Sequence, residues 1–159
     1  MKHEHLGFDY QLMQPEELSA EDLALVEQAK EATFTSYSPY SHFRVGAALR
    51  MKNGDIFCGS NQENASFTTG LCAERTAIFY ATAKCPDTPV TTIAIAARGQ
   101  DGDFTQEPIS PCGACRQVLA EIEHRADKPM RLLLYSQSGI IVMNSVGNLL
   151  PLQFNGDSL

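Results

Sequence analysis

Pro111-Cys112-Gly113-Ala114-Cys115-Arg116-Gln117-Val118-Leu119-Ala120-Glu121-Ile122 lies between two short apolar runs, Thr91 to Ala97 and Leu132 to Tyr135. Cys115, Val118, Leu119 and Ile122 recur at i, i+3, i+4 and i+7, one face of an α-helix. Ser110 is placed to cap this helix, with Pro111 at its first position, where a missing N–H costs nothing. A helical crossover joins parallel strands, whereas a tight turn can join only antiparallel ones. The strands near 93 and 133 are therefore expected to run parallel, which sets the fold class as α/β.

Outward from this unit, the connections between neighbouring strands are short. Phe43 to Met51 reads as a strand, Lys52-Asn53-Gly54 as a turn, and Ile56 to Ser60 as the hairpin partner. Leu132 to Tyr135, a Gln137-Ser138-Gly139 turn and Ile140 to Met143 make a second hairpin. Ser19-Ala20-Glu21-Asp22 reads as a capping box opening a helix that runs to about Thr35 and is broken by Ser38-Pro39-Tyr40-Ser41. Cys72 to about Lys84 is a further helix, and Val146 to Leu150 a short helical turn before the tail. The sum is a three-layer α/β/α sandwich with a mixed sheet of about five strands. Residues 1–18 read as an N-terminal extension, in which Phe8, Tyr10 and Leu12 alternate with polar neighbours as an edge strand would. Residues 19–159 read as a single domain.

The chain has 159 residues, enough for one domain with a real core. No apolar run approaches the ~20 residues that span a bilayer. Met1-Lys2-His3-Glu4-His5 lacks the apolar core of a signal peptide, so the expected compartment is the cytoplasm. The net charge is −7 and no cluster of Lys and Arg stands out. That argues against a surface tracking nucleic-acid phosphates and for a small uncharged substrate. Five cysteines is an odd count, and a reducing compartment makes a disulfide framework a poor reading. Cys58 and Cys85 read as ordinary thiols. His3, His5, His42 and His124 have no spacing that makes them ligands.

Cys72, Cys112 and Cys115 are spaced to share one metal. Cys112 and Cys115 are three apart at a helix start, so both thiols lie on one face. In Cys72-Ala73-Glu74 the first and third side chains diverge in mid-helix and converge only when they project past the helix end. The inferred site therefore lies where two helix N-termini meet. Three protein ligands with one open position are how zinc is held for catalysis. Glu74 is then a proton carrier beside the open position, not a fourth ligand. Three thiolates and one Zn²⁺ leave one net negative charge, a poor setting for an electrophile. Two helix N-termini supply about half a positive charge each. Arg75 is expected to add hydrogen bonds to the thiolate sulfurs.

Cys72-Ala73-Glu74-Arg75-Thr76-Ala77 and Pro111-Cys112-Gly113-Ala114-Cys115-Arg116-Gln117-Val118 resemble the two signature blocks of the small, homotetrameric cytidine deaminases. Phe43-Arg44-Val45-Gly46-Ala47-Ala48 and Asn61-Gln62-Glu63-Asn64-Ala65 resemble that family's substrate-binding blocks, and the resemblance runs from about Ser19 to Phe154. It implies zinc-dependent hydrolytic deamination of cytidine and deoxycytidine in pyrimidine salvage, with one zinc per subunit and Glu74 moving protons to ring nitrogen N3 and to the departing amino group. It further implies that Asn61 and Glu63 hold the ribose hydroxyls and that Phe43 packs against the nucleoside. By the same resemblance, the backbone of Ala73 would lie near the base, and Phe154 would reach into the pocket of a neighbouring subunit. The partners it implies are a free pyrimidine nucleoside and further copies of the chain, with neither nucleic acid nor membrane. A relative specialised for a modified nucleoside such as blasticidin S would be expected to differ in the loop Ser66 to Gly70. A zinc-stabilised interaction module would account for the cysteines but not for Glu74, Asn61 or Glu63. A deaminase of single-stranded nucleic acid needs basic grooves and stacking surfaces, which this acidic chain does not advertise.

Overall fold

A computed structural model describes residues 1–159. The helices are α1 (Ala20–Ala32), α2 (Ala73–Lys84) and α3 (Gly113–Ala126). The strands are β1 (Gln11–Met13), β2 (Arg44–Met51), β3 (Ile56–Ser60), β4 (Val90–Arg98), β5 (Arg131–Tyr135) and β6 (Ile140–Met143). They form one six-stranded sheet in the order β1-β6-β5-β4-β2-β3. The β4–β5 pair is parallel, with Ile93 beside Leu132 and Ala94 beside Leu133, as the crossover through α3 requires. Every other pair is antiparallel. The mixed α/β sheet expected from the connections is thus present, with a sixth strand added by the N-terminal segment.

Strand alternation divides the core into two layers. Leu49, Ile93, Ile95, Leu132 and Leu134 pack on the side of α2 and α3. Ala48, Ala94, Ala96, Leu133, Ile140 and Val142 face α1 through Leu25, Val26 and Ala29. Each fully buried Leu or Ile side chain contributes about 1.5–3 kcal/mol relative to exposure. α1 begins where the capping box places it, with Ser19 Oγ accepting the Asp22 N–H at 3.1 Å. The Asp22 carboxylate, itself buried, accepts Arg50 Nη2 of β2 at 2.7 Å and Arg131 Nη1 of β5 at 2.5 Å. One side chain thus pins the first turn of α1 to two strands. Burial is the largest single influence on the Asp22 carboxyl and opposes its ionisation. The hydrogen bonds and charges of Arg50 and Arg131 together outweigh it and hold the carboxyl below the usual range.

The structure corrects four boundaries. α3 opens at Gly113 with Cys112 as its N-cap, so Ser110 and Pro111 lie outside the helix and Ser110 caps nothing. The Pro111 carbonyl instead accepts Arg116 Nε at 2.8 Å, and the extended backbone of Cys112 lets its thiol project past the helix end. The edge strand covers only Gln11–Met13, pairing Leu12 with Ile141, so Phe8 and Tyr10 fall outside the sheet. Phe43 precedes β2 rather than opening it, and Thr33–Thr35 is a 3₁₀ turn after α1.

Candidate metal and nucleoside site

Cys72 is the N-cap of α2 and Cys112 the N-cap of α3, both in extended conformation and neither side chain capping its own helix. Both thiols are therefore free to point past the helix ends. Cys115, in the first turn of α3, completes the group, and the three Sγ atoms all lie within 4.8 Å of one another. Cys72 Sγ and Cys112 Sγ are 3.7 Å apart. Sulfurs ~2.3 Å from a tetrahedral zinc stand ~3.8 Å from each other, so the spacing is that of a shared metal. The two helix N-termini do meet here.

Arg75 Nη2 donates to Cys72 Sγ at 3.7 Å, while Arg75 Nε is buried without a partner. The Cys72 thiol is held down to about 5, first by a hydrogen bond from the Cys115 thiol and then, against burial, by Arg75. Cys115 is pushed up for the reciprocal reasons: it keeps the proton it gives to Cys72, it is buried, and Glu74 is close. The thiolate bond likewise raises Arg75. Three crowded sulfurs cannot all ionise on their own. A divalent cation would take the place of the shared proton, so the donor set fits zinc. Glu74 is buried, 5% exposed, and burial followed by the negative charge on Cys72 pushes its carboxyl above the ordinary value. A carboxyl poised to hold a proton is suited to carrying one.

Cys72 and Arg75 line a cavity of about 560 Å³ whose walls include Asn61, Glu63, Tyr40, Ser41 and Phe67. The structure thus joins the polar pair Asn61 and Glu63 to Cys72 of the thiol cluster in one pocket. Asn61 Oδ1 accepts Ser36 Oγ at 2.6 Å and the Val45 N–H at 2.8 Å, and Asn61 Nδ2 donates to the Phe43 carbonyl at 2.9 Å. Glu63 accepts the Tyr40 and Ser41 N–H groups at 2.9 and 3.3 Å and the Ser41 hydroxyl. The Ser41 bond, ahead of the others, holds the Glu63 carboxyl below its usual range. Phe43, Ala73, Glu74 and Phe154 are not among the residues lining this cavity. Ala73 is fully buried at the start of α2. Phe154 is 60% exposed, with its carbonyl accepting Gln117 Nε2 of α3 at 2.8 Å.

Two contributors carried no local signal in the sequence. Ser41 reads there only as part of a helix break, yet it touches Glu63 across 22 positions. Gly59 sits where β3 meets α2 so closely that a Cβ would stand 2.5 Å from the Ala77 nitrogen and 2.9 Å from the Ala73 carbonyl oxygen. Glycine there lets the first turns of α2, with Cys72 and Glu74, sit against the sheet.

Residues 19–127 match the family described as the cytidine and deoxycytidylate deaminase zinc-binding region. A cytidine deaminase of Halalkalibacterium halodurans is 40% identical over 135 residues, covering 85% of this chain and 95% of that protein. A blasticidin-S deaminase of Bacillus cereus is 30% identical over 138 residues, covering 86% of this chain and 94% of that protein. The crystal structure of a cytidine deaminase from Burkholderia pseudomallei superimposes with a TM-score of 0.70 at 41% identity, covering 82% of this chain and 97% of that one. A family match over well more than half the chain, relatives aligned almost end to end and a cysteine trio at zinc spacing lead to one conclusion: this chain belongs to the cytidine deaminase family.

Proposed function

We propose that this protein hydrolyses cytidine and deoxycytidine to uridine and deoxyuridine with release of ammonia, a reaction of pyrimidine salvage. The observation that carries this reading is the single pocket in which Asn61 and Glu63 face Cys72 and Arg75. Cys72, Cys112 and Cys115 would hold one zinc ion, which would supply the Lewis acidity that activates the attacking water. Glu74 takes a proton from that water and delivers it to N3 of the pyrimidine as the water oxygen adds to C4. Glu74 then carries the second proton to the 4-amino nitrogen, which departs as ammonia. One carboxylate suffices because the two transfers are sequential. Arg75 offsets the thiolate charge at Cys72.

Hydrogen-bond accounting supports the choice of a sugar. Asn61 Oδ1 already accepts two bonds and its Nδ2 has one N–H to spare, while Glu63 is an acceptor. One donor beside one acceptor suits hydroxyl groups. The carboxylate also opposes a phosphate, which favours a nucleoside over its nucleotide. Phe43 packs against the nucleoside, and its backbone is fixed by Asn61 on one side and Ser41 on the other. The backbone of Ala73 contacts the base.

The exposed Phe154 supports an assembly in which the pocket of one subunit is completed by the tail of another, as a homotetramer. Residues 19–159 form the deaminase domain, and residues 1–18 are an N-terminal extension whose Gln11–Met13 strand joins its sheet. No helix is long and apolar enough to cross a membrane, and free thiols at the metal centre suit a reducing cytoplasm. The decisive experiment is an ammonia-release assay on zinc-loaded protein. Cytidine, deoxycytidine, cytosine, cytidine monophosphate, blasticidin S and single-stranded DNA should be compared side by side. Turnover of the two nucleosides, abolished in Glu74→Gln with zinc retained, is the expected result. Normal turnover by Glu74→Gln, or activity confined to blasticidin S or DNA, would overturn the reading.

A further inference from the structure

Five residues around the pocket close into one hydrogen-bonded circuit. Ser41 Oγ donates to Glu63 Oε1 and accepts the Phe43 N–H at 3.0 Å. The Phe43 carbonyl accepts Asn61 Nδ2 at 2.9 Å. Asn61 and Glu63 are joined in turn through Tyr37, whose N–H bonds the Asn61 carbonyl at 3.0 Å and whose carbonyl accepts the Glu63 N–H at 2.8 Å. Gln100 Nε2 holds the Ser41 carbonyl at 3.3 Å from the loop after β4. The three residues proposed to touch the nucleoside thus meet through Ser41, to which neither the motifs nor the family match assigns a role.

The carboxylate itself shows what this connection does. Its Oε2 accepts two backbone N–H groups and its Oε1 accepts the Ser41 hydroxyl. With about two acceptor sites on each oxygen, one site on Oε1 remains, and its direction is set by the Ser41 bond. The two N–H bonds anchor Oε2 and the Ser41 hydroxyl adds the bond that holds Oε1, so less side-chain freedom remains to be lost on binding at a cost to affinity.

We propose that Ser41 is a positioning residue: its hydroxyl aims the remaining Glu63 acceptor at a sugar hydroxyl and, through the Phe43 N–H, fixes the Phe43 backbone next to Asn61. This rests on the reading of Asn61 and Glu63 as the sugar-binding pair. Ser41→Ala removes the aim while leaving Glu63, the zinc ligands and Glu74 in place.

The test compares cytidine with 2′,3′-dideoxycytidine, which lacks the secondary hydroxyls, on zinc-loaded wild type, Ser41→Ala and Ser41→Thr. Ser41→Ala is expected to lower kcat/KM for cytidine about tenfold, chiefly through KM, and to change that for the dideoxynucleoside less than about twofold. Ser41→Thr, which keeps the hydroxyl, should recover most of the loss. Zinc content and melting temperature should match wild type in both. An equal loss on both substrates would reduce Ser41 to a structural residue, and no loss on cytidine would remove the role altogether. Should Ser41→Ala fail to fold, Ser41→Cys keeps the volume with a weak donor and carries the same comparison. A wild type inactive on both nucleosides would instead overturn the functional reading, a result distinct from either outcome for Ser41.

Discussion

Gly59→Ala tests how tightly the sheet positions α2. The added methyl would lie 2.5 Å from the Ala77 nitrogen, 2.9 Å from the Ala73 carbonyl oxygen and 2.9 Å from the Ala77 Cα. All three are backbone atoms of α2, so no side-chain rotation relieves them. An ordinary contact is about 3.5 Å, and the helix must therefore retreat from β3 by about 1 Å. Ala73 lies between Cys72 and Glu74, so the retreat is transmitted together to the proposed zinc ligand and the proposed proton carrier. A misplacement of about 1 Å can cost about 100-fold in rate, or about 2.7 kcal/mol in activation free energy. Overpacking a core costs about 1–3 kcal/mol, at about 2–4 °C of melting temperature per kcal/mol for a domain of this size. The assay is kcat/KM on cytidine with zinc content and melting temperature measured on the same preparation. Cys58→Ala is the control: the neighbouring Cys58 thiol points the other way, 3.9 Å from Gln28 Oε1 of α1, and its loss should leave kcat/KM unchanged. A Gly59→Ala protein with wild-type kcat/KM would refute the claim that this contact sets the position of Glu74.

Two further outcomes follow from other parts of the molecule. The Asp22 carboxyl lies below its unfolded value, so its stabilisation is whole above the ordinary aspartate pKa, about 4. That stabilisation drains away as the pH falls through the lower folded value. Asp22→Asn should therefore cost about 3 kcal/mol at neutral pH, near the low end for a broken buried pair because Arg50 and Arg131 keep some solvent. The gap between variant and wild type should narrow in acid, and urea melts at several pH values that show a constant gap would reject the assignment. Phe154→Ala should raise KM for cytidine while leaving zinc content unchanged. Mixing Phe154→Ala subunits with Glu74→Gln subunits should give hybrid assemblies more active than either parent, since each intact pocket could then borrow its missing part; absence of complementation in mixed oligomers would argue that Phe154 serves its own subunit.

Whatever depends on spacing along the chain was legible in the residues alone. The heptad-like face Cys115-Val118-Leu119-Ile122 gave a helix, the helix between two apolar runs gave a parallel pair, and the hairpin turns gave the antiparallel ones. Cys72-Ala73-Glu74 could converge only at a helix end, and the structure places Cys72 there. The start of α3 differs because of a bond that the helical period does not carry. Arg116 takes the Pro111 carbonyl, and the metal group needs Cys112 at the cap, so α3 starts two residues after the proline. The sixth strand exists because β6 has an open edge for Gln11–Met13 to cover. Only the tertiary structure decided that Ser41 aims Glu63 and that Gly59 seats α2. Those effects are contacts across 22 and 18 positions of chain, and no local period or motif encodes a hydrogen bond or a close approach between segments that meet only after folding.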